Sequence, residues 1–237
     1  MKIDVTFTPF ELARADLRGR TVVVLDVVRA SSTIAQGMAS GAAAFVPVRS
    51  VTAARRTARQ YPPAGRLLGG ERDGVRIPGF DLGNSPREYT GERVSGKTIV
   101  FTTTNGTAAI TAAKAARRTY IGAFVNLAAV VDGLVREDAD VTLAAAGRSN
   151  RPVLDDVGCA GAFIKAMQQN LQLELADSAK IALRLWEPYQ ERVRDLLSDS
   201  ASGQALIHIG YDLDLDFCSQ TGVLNVAPRV VEGKVGL

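Results

Sequence analysis

The stretch TVVVLDVV at residues 21–28, with RASSTI after it at 29–34, decides the fold. Its strand portion is a continuous apolar run rich in β-branched valine, and such runs are typical of strands buried on both faces of a parallel sheet. The Ala- and Gly-rich segment from Ile34 to Ala44 predicts a helix, which the hydroxyl residues at 31–33 would cap. Asp26 is then a carboxylate at the end of a buried strand.

The same order of strand, polar loop and helix recurs twice further along the chain. The second strand is predicted at 98–103 with a helix that ends near Ala116, and the third at 141–146 with a helix at about 154–170. Repeated units of this kind predict a layered α/β fold with parallel strand pairs, in which ligands bind where strand carboxyl ends meet helix amino ends. We expect the three loops to share one edge of the sheet.

The rest of the chain gives weaker patterns. Residues 65–89 are rich in Gly, Pro, Asp and Arg and predict a long irregular segment, which we interpret as an ordered active-site loop. A charged amphipathic helix is predicted at about 178–197, a turn at Gly203 and a short helix or strand around 205–209. No linker composition interrupts the chain, so we predict a single domain over residues 1–237.

Composition narrows the class of protein. Hydrophobic residues make up 46% and charged residues 22% of the chain, which suits a folded protein and not a disordered one. There is no apolar run long enough for a membrane helix and no signal peptide, so we expect a cytoplasmic protein with Cys159 and Cys218 reduced. The net charge of +3 comes without a basic cluster, so no nucleic-acid partner is expected. One histidine, His208, is too few for most zinc hydrolases and for phosphohistidine chemistry.

Two phosphate-handling motifs are excluded by their context. GERVSGKT at 91–98 matches a P-loop formally, but it precedes a predicted strand instead of following one. A cysteine-based phosphatase needs an arginine six residues after its nucleophile. The residue at that position is Lys165 after Cys159 and Leu224 after Cys218.

The remaining candidate site residues have side chains with oxygen donors. Asp26 lacks the second acid two residues later that a haloacid-dehalogenase site needs, since that position is Val28. The acidic run 212–216 lies near the C-terminus and is interpreted as a solvated turn or strand. Asp26 itself fits two roles, a ligand of Mg²⁺ or a capping carboxylate. The pair 155–156 can serve a helix amino end or a metal, and the loop 102–107 can bind phosphate or cap a helix.

Taken together, these loops resemble the 2-phosphosulfolactate phosphatase family. The resemblance implies a three-layer α/β/α sandwich with a mixed sheet and Mg²⁺-dependent hydrolysis of 2-phospho-3-sulfolactate to sulfolactate and phosphate, a step toward coenzyme M. The matching stretches are VVVLDVVRASSTI (22–34), GGER (69–72), GFDLGNSPREY (79–89), TTTNGT (102–107), DDVGCAGAF (155–163) and SGQALIHIGYDLDLDFCSQTGVLNVAP (202–228).

The third loop departs from the family's usual pattern. Asn150 stands where many members have a glycine, and we expect it to take a left-handed turn conformation. Asp155 stands where they have Glu, which keeps the charge but shortens its reach. The change puts the exact substrate in question more than the reaction class, and a related 2-phospho acid is an alternative substrate.

From the motif positions we predict the following roles. Mg²⁺ is the expected cofactor, a small anionic phosphoester the expected ligand, and a homodimer the default assembly. The alternative is a non-catalytic or substrate-shifted relative that binds a polyanion. Predicted catalytic residues are Asp26, Arg29 and Asp156, and predicted metal ligands are Asp26, Glu71, Asp155 and Asp156. Predicted substrate-binding residues are Ser31, Ser32, Thr33, Arg72, Thr103, Thr104, Asn105, Gly106, Thr107, Arg148 and Arg151, with the arginines at 72, 148 and 151 assigned to carboxylate and sulfonate groups.

Overall fold

The apolar run at the start of the first unit forms a fully buried central strand. In the computed structural model, which describes residues 1–237, this strand covers Thr21–Leu25 and all five of its residues are buried. It belongs to a mixed sheet of eleven strands. The strands are β1 Lys2–Thr6, β2 Thr21–Leu25, β3 Ala44–Pro47, β4 Arg66–Arg72, β5 Val75–Arg76, β6 Thr98–Thr102, β7 Arg118–Gly122, β8 Val141–Ala145, β9 Glu174–Leu175, β10 Arg229–Val231 and β11 Lys234–Gly236.

Eleven α-helices and five short 3₁₀ turns connect these strands. No helix is long and apolar enough to cross a membrane. The helices are α1 Pro9–Leu12, α2 Ala30–Ala39, α3 Val51–Ala58, α4 Gly91–Val94, α5 Gly106–Ala112, α6 Leu127–Glu137, α7 Leu154–Met167, α8 Asp177–Trp186, α9 Val193–Asp199, α10 Ala201–His208 and α11 Leu213–Cys218. The 3₁₀ turns are Pro63–Gly65, Pro86–Glu88, Ala113–Ala115, Phe124–Asn126 and Glu187–Tyr189.

Residues of β2 alternate between two hydrophobic cores. Val22 and Val24 pack on one face with α1, α2 and α5, whereas Val23 and Leu25 pack on the other with α6 to α11. Helices on both faces of one sheet make three layers, so the predicted α/β/α sandwich is confirmed. Each fully buried valine or leucine contributes about 1.5–3 kcal/mol, which explains why this strand has no polar residue before Asp26 except Thr21.

The sheet consists of two parallel blocks with a hairpin between them. Its order is β5-β4-β6-β3-β11-β10-β7-β2-β8-β1-β9. Strands β4, β6 and β3 are parallel to one another, as are β7, β2, β8, β1 and β9. The hairpin β10–β11 pairs antiparallel with both blocks, so the blocks run in opposite directions.

The opposite direction of the two blocks shows that the three loops do not share one edge of the sheet, contrary to the expectation from the sequence. Strands β2 and β8 do end at the same edge, but β6 runs the other way. The loop after β6 nevertheless reaches Asp26, since a Cβ added at Gly106 would lie 2.6 Å from the Asp26 Oδ2. The reversing hairpin lies at 229–236, a segment for which no element is predicted from the sequence.

Several predicted elements differ from the structure. The helix predicted after the strand at 21–28 is α2. Its N-cap is Arg29, which makes no side-chain capping bond, so the predicted hydroxyl cap at 31–33 is wrong. The predicted helix at 178–197 is two helices, α8 and α9, interrupted at Glu187–Tyr189, where Pro188 removes a backbone donor. Gly203 lies inside α10 and not in a turn, because its missing side chain lets the helix approach the Leu197 carbonyl.

Two segments are more ordered than predicted. Residues 66–72 of the supposed irregular segment form β4, which pairs along its length with β6. The acidic run at 212–216 enters helix α11 and is not a solvated turn or strand, since Asp214 is buried there. The other helix predictions hold to within a few residues, with α5 ending at Ala112 and α7 at Met167.

Candidate active site

A small cleft lies where the loops after β2, β4, β6 and β8 meet helix α10. Its volume is about 140 Å³, below the roughly 300 Å³ at which drug-sized pockets begin. The cleft therefore suits a small polar molecule. Its lining residues are Asp26, Val28, Arg29, Glu71, Asp73, Gly74, Asn84, Thr103, Thr104, Asn105, Arg148, Ser149, Ser202, Ala205, Leu206 and Ile209.

Asp26 is a buried carboxylate at the floor of this cleft. It directly follows β2, is 9% exposed, and accepts a hydrogen bond from the Ala30 amide at 3.3 Å. Burial raises the pKa of Asp26 to about 7; the Ala30 amide lowers it, and the charges of Asp155 and Glu71 raise it further. Its other oxygen lies against Gly106, where an added Cβ would be 2.6 Å from Oδ2.

The neighbouring carboxylates Asp155 and Asp156 have different environments. Asp156 accepts the Val27 amide with one oxygen and the Gly147 amide with the other, both at 2.9 Å, so it ties the loop after β2 to the loop after β8. Burial and the nearby Asp155 and Asp26 charges raise its pKa. Asp155 is 1% exposed, and its Oδ1 has no hydrogen-bond partner. Burial raises the pKa of Asp155 to about 6.

Glu71 organises the loops on the opposite side of the cleft. Its Oε1 accepts the Thr104 amide at 2.7 Å and its Oε2 accepts the Gly74 amide at 2.8 Å. The Thr104 hydroxyl also donates to Oε2 at 3.3 Å. Glu71 therefore joins the β4–β5 hairpin to the loop after β6 while it lines the cleft.

Arg29 is the buried cation of the cleft. Its Nη1 donates to Asp214 at 2.6 Å and its Nη2 to the Gly74 carbonyl at 2.6 Å. The guanidinium lies 4.7 Å from the centre of the Tyr211 ring. Arg29 and Asp214 have side chains only 2% exposed, so this ion pair is shielded from solvent.

The three predicted hydroxyl ligands on α2 have partners inside the protein. Ser31 donates to the Val24 carbonyl, Ser32 to the Val27 carbonyl and Thr33 to the Asn84 carbonyl. All three are buried and none lines the cleft. Their hydroxyls shape the loop, and the Ser31 and Thr33 amides already donate to the Asp26 and Arg29 carbonyls, so neither of these two residues has a free amide for the predicted contact with phosphate.

The loop after β6 presents unused polar atoms to the cleft. The Thr103 hydroxyl and the Asn84 side-chain oxygen are buried without a hydrogen-bond partner, and both residues line the cleft. Thr104 and Asn105 line it too. The Thr107 hydroxyl donates a hydrogen bond to the Thr103 carbonyl, and Thr107 does not line the cleft. Buried polar groups usually find partners, so these two atoms are available to hydrogen-bond a molecule bound in the cleft.

The structure separates the three predicted anion-binding arginines. Arg148 lines the cleft and donates to the Ala201 carbonyl at 3.0 Å. Arg72 donates to the Glu71 carbonyl and the Thr102 hydroxyl, and Arg151 is exposed; neither lines the cleft. Asn150 has a φ of 56°, so the predicted left-handed turn is confirmed.

Comparisons with known proteins agree with this loop arrangement. The family model described as 2-phosphosulpholactate phosphatase matches residues 6–233. The chain belongs to the 2-phosphosulfolactate phosphatase family. A protein of Symbiobacterium thermophilum named "Probable 2-phosphosulfolactate phosphatase" is 44% identical over 94% of this chain and 96% of its own length. Proteins with the same name from Carboxydothermus hydrogenoformans and Thermotoga maritima are 40% and 36% identical, over 97% and 98% of this chain and 93% and 96% of their own lengths.

Family membership confirms the assignment made from the motifs, and with it the enzyme class, a phosphoric monoester hydrolase. The roles predicted for single residues stay predictions. Asp214 and Ser202 were missed as parts of the site. Both lie in the matching stretch 202–228, and that match was the one signal that could have found them.

The carboxylate oxygens of this site are suitable ligands for a hard cation such as Mg²⁺, but they are only partly arranged to hold one. Carboxylate oxygens are the ligands that Mg²⁺ prefers, and the unpaired Asp155 oxygen beside buried Asp26 is an arrangement that a cation would relieve. No three carboxylate, histidine or cysteine side chains are arranged to hold one ion. The four predicted ligands therefore do not form a preassembled site, although Mg²⁺ is usually bound by one or two carboxylates with water and phosphate as its other ligands.

Cys159 does not take part in this site. It is fully buried in helix α7 among apolar neighbours, and burial raises its pKa well above the ordinary value. A thiol in that state is a poor nucleophile. Cys159 is a packing residue of the core.

Proposed function

We propose that this protein is a Mg²⁺-dependent phosphatase that hydrolyses 2-phospho-3-sulfolactate, or a closely related 2-phospho acid, to the hydroxy acid and phosphate. In this reaction water adds to phosphorus, and the bond from phosphorus to the substrate oxygen breaks. The observation that carries the proposal is the small cleft in which Asp26 and Glu71 stand beside Arg29 and the unpaired Thr103 hydroxyl.

The charges of the cleft favour an added cation. Its lining includes the acids Asp26, Glu71 and Asp73 and only two cations, Arg29 and Arg148. Arg29 is already paired with Asp214. A phosphoester bound here would bring further negative charge, so binding requires a cation as well as the arginines.

Asp26 and Asp155 are the residues that would hold this ion; Asp26 lines the cleft, whereas Asp155 is buried beside it and does not line the cleft. They lie close enough for the charge of Asp155 to raise the pKa of Asp26, and Asp155 has an oxygen free. When bound, Mg²⁺ would neutralise charge on the phosphoryl group and lower the pKa of the attacking water. Asp156 and Glu71 have both oxygens engaged with backbone amides, so their part is to position the loops.

Other residues bind and orient the phosphoester. Only two of the five N–H donors of Arg29 have protein partners, which leaves three for phosphate oxygens. The Thr103 hydroxyl and the Asn84 side chain add hydrogen bonds beside it. Arg148 lines the cleft and donates to the Ala201 carbonyl of α10, and it would bind the carboxylate or sulfonate of the substrate.

Phosphate release from purified protein tests the proposal. The substrates are 2-phosphosulfolactate and phospholactate, each with Mg²⁺ and with EDTA. We expect release that EDTA abolishes and Mg²⁺ restores, and for Asp26→Asn a loss of at least about 10²-fold in kcat, the size of effect typical of a catalytic carboxylate. Asp132→Asn makes the same change on an exposed helix position outside the cleft and should keep full activity.

Two results would contradict the proposal. Activity that persists in EDTA would refute the metal requirement. Tight binding of the phosphoester without any phosphate release would instead support the polyanion-binding alternative, because the cleft would then hold its ligand without turnover.

A further inference from the structure

The buried acid Asp214 belongs to an acidic run whose other members are on the surface. Asp212 and Asp216 are exposed, and Asp216 pairs with Arg194 at the protein surface. Asp214 instead points inward with Leu215 and Cys218, which are both fully buried. A carboxylate in such surroundings needs a partner, because a buried charge without one is strongly unfavourable.

Asp214 has two partners, and each belongs to a different loop of the site. Its Oδ2 accepts from Arg29 at 2.6 Å and its Oδ1 accepts from the Ser85 hydroxyl at 2.6 Å. Both bonds have the short length of charge-assisted hydrogen bonds. One carboxylate therefore fixes the loop after β2 and the segment at 84–86 relative to helix α11.

Arg29 is held on three sides as a result. Asp214 binds one terminal nitrogen and the Gly74 carbonyl binds the other, while the Tyr211 ring lies against the guanidinium plane. A long arginine side chain has many rotamers, and fixing it before the ligand arrives lowers the entropy cost of binding. Arg29 lines the cleft, so a donor that has no protein partner can bind a ligand there.

We infer that Asp214 is a positioning residue, which holds the Arg29 guanidinium in the orientation that binds the phosphoryl group. The inference rests on the proposed phosphatase function. It assigns a role to a residue that the sequence pattern alone places in a solvated acidic run. Asp214 does not line the cleft, so its effect passes through Arg29.

A double-mutant cycle tests the inference. The variants are Asp214→Asn, Arg29→Lys and the two combined, with Asp216→Asn as the matched control on the same helix. We expect Asp214→Asn to lower kcat/KM for the phosphoester at least tenfold in the wild-type background and less than twofold when position 29 is Lys. Asp216→Asn should leave kcat/KM within twofold of wild type, since its side chain is exposed and pairs at the surface.

Phosphate binding gives a second readout that does not need turnover. Titration of each variant with inorganic phosphate in a calorimeter should show the same pattern in Kd, a tenfold weakening that depends on Arg29. Ser85→Ala is the milder variant for the case that Asp214→Asn does not fold. It removes the bond to Oδ1 and leaves the Arg29 pair, and we expect a threefold to tenfold loss that again disappears in the Arg29→Lys background.

The outcomes separate the two levels of the proposal. Equal losses from Asp214→Asn in both backgrounds would show a purely structural role and overturn the inference, as would activity and phosphate affinity within twofold of wild type. A wild-type protein that binds phosphate but releases none from any 2-phospho acid would overturn the proposed function instead. In that case the Kd cycle still decides whether Asp214 acts through Arg29.

Discussion

Replacing Gly106 with alanine would place a methyl group against the carboxylate at the floor of the cleft. The new Cβ would lie 2.6 Å from Oδ2 of Asp26 and 2.9 Å from Cβ of Ala30. Carbon contacts settle at about 3.5 Å, so one of the groups must move by roughly 0.9 Å. Ala30 is fixed in helix α2, and the carboxylate is the group that can turn.

The effects on stability and on activity should differ in size. Overpacking costs about 1–3 kcal/mol, and alanine in place of glycine in helix α5 returns up to about 1 kcal/mol. The net destabilisation is therefore about 0–3 kcal/mol. A catalytic group displaced by about 1 Å can lose roughly 100-fold in rate. We expect Gly106→Ala to fold and to have kcat reduced by about that factor.

Steady-state kinetics and thermal unfolding measured on the same preparation would check this. Gly236→Ala is the control, because a Cβ added there would have no atom within 4 Å and the backbone at that residue is not left-handed. A Gly106→Ala protein with kcat within threefold of wild type would refute the reasoning, since it would show that the exact place of the Asp26 carboxylate is unimportant. A protein that loses activity only in proportion to its folded fraction would refute it equally.

Three further predictions concern carboxylates and arginines of the cleft and of the loops around it. Asp156→Asn leaves the Val27 or the Gly147 amide without an acceptor and should lower the free energy of unfolding by about 1–3 kcal/mol, whereas Asp155→Asn should lower activity with little change in Tm; the reverse pattern would exchange their roles. The pKa of Asp26 is about 7 in the folded protein against 3.8 for an ordinary aspartate, so the folded state binds this proton more tightly and metal-free stability should fall as pH rises from about 4 to about 7. Thermal unfolding in EDTA across that range would show a decline that Asp26→Asn reduces, and an unchanged slope in the variant would contradict the assignment. Arg148→Ala should raise KM for the sulfonated phosphoester but not for a simple aryl phosphate. Arg151→Ala should change KM for neither substrate, because of these two arginines only Arg148 lines the cleft.

Local patterns in the sequence were enough to predict β2, β6 and β8 and the loops after them, although not β4, which carries Glu71. The apolar run of β2 and the position of Asp26 after it depend on neighbours along the chain, and both agree with the structure. The same holds for the turn at Asn150. These features follow from burial periodicity and backbone conformation, which a short stretch of sequence determines.

Features that depend on distant partners were not predictable in this way. Asp214 looked like part of a solvated acidic run because its partner, Arg29, is 185 residues away in sequence. The hydroxyls of Ser31 and Thr33 looked like caps, but carbonyls of other segments accept their hydrogen bonds. A side chain that satisfies its hydrogen bonds through tertiary contacts leaves no trace in the local pattern.

The hairpin β10–β11 gives the sheet an order of assembly. Its residues, 229–236, follow every other strand in the sequence, yet they pair with β3 on one side and β7 on the other. Until they arrive, each parallel block has an open edge with unpaired backbone groups, and such edges promote association with other chains. Since β10 and β11 are synthesised after β3 and β7, we expect nascent chains to expose both edges until these residues are made.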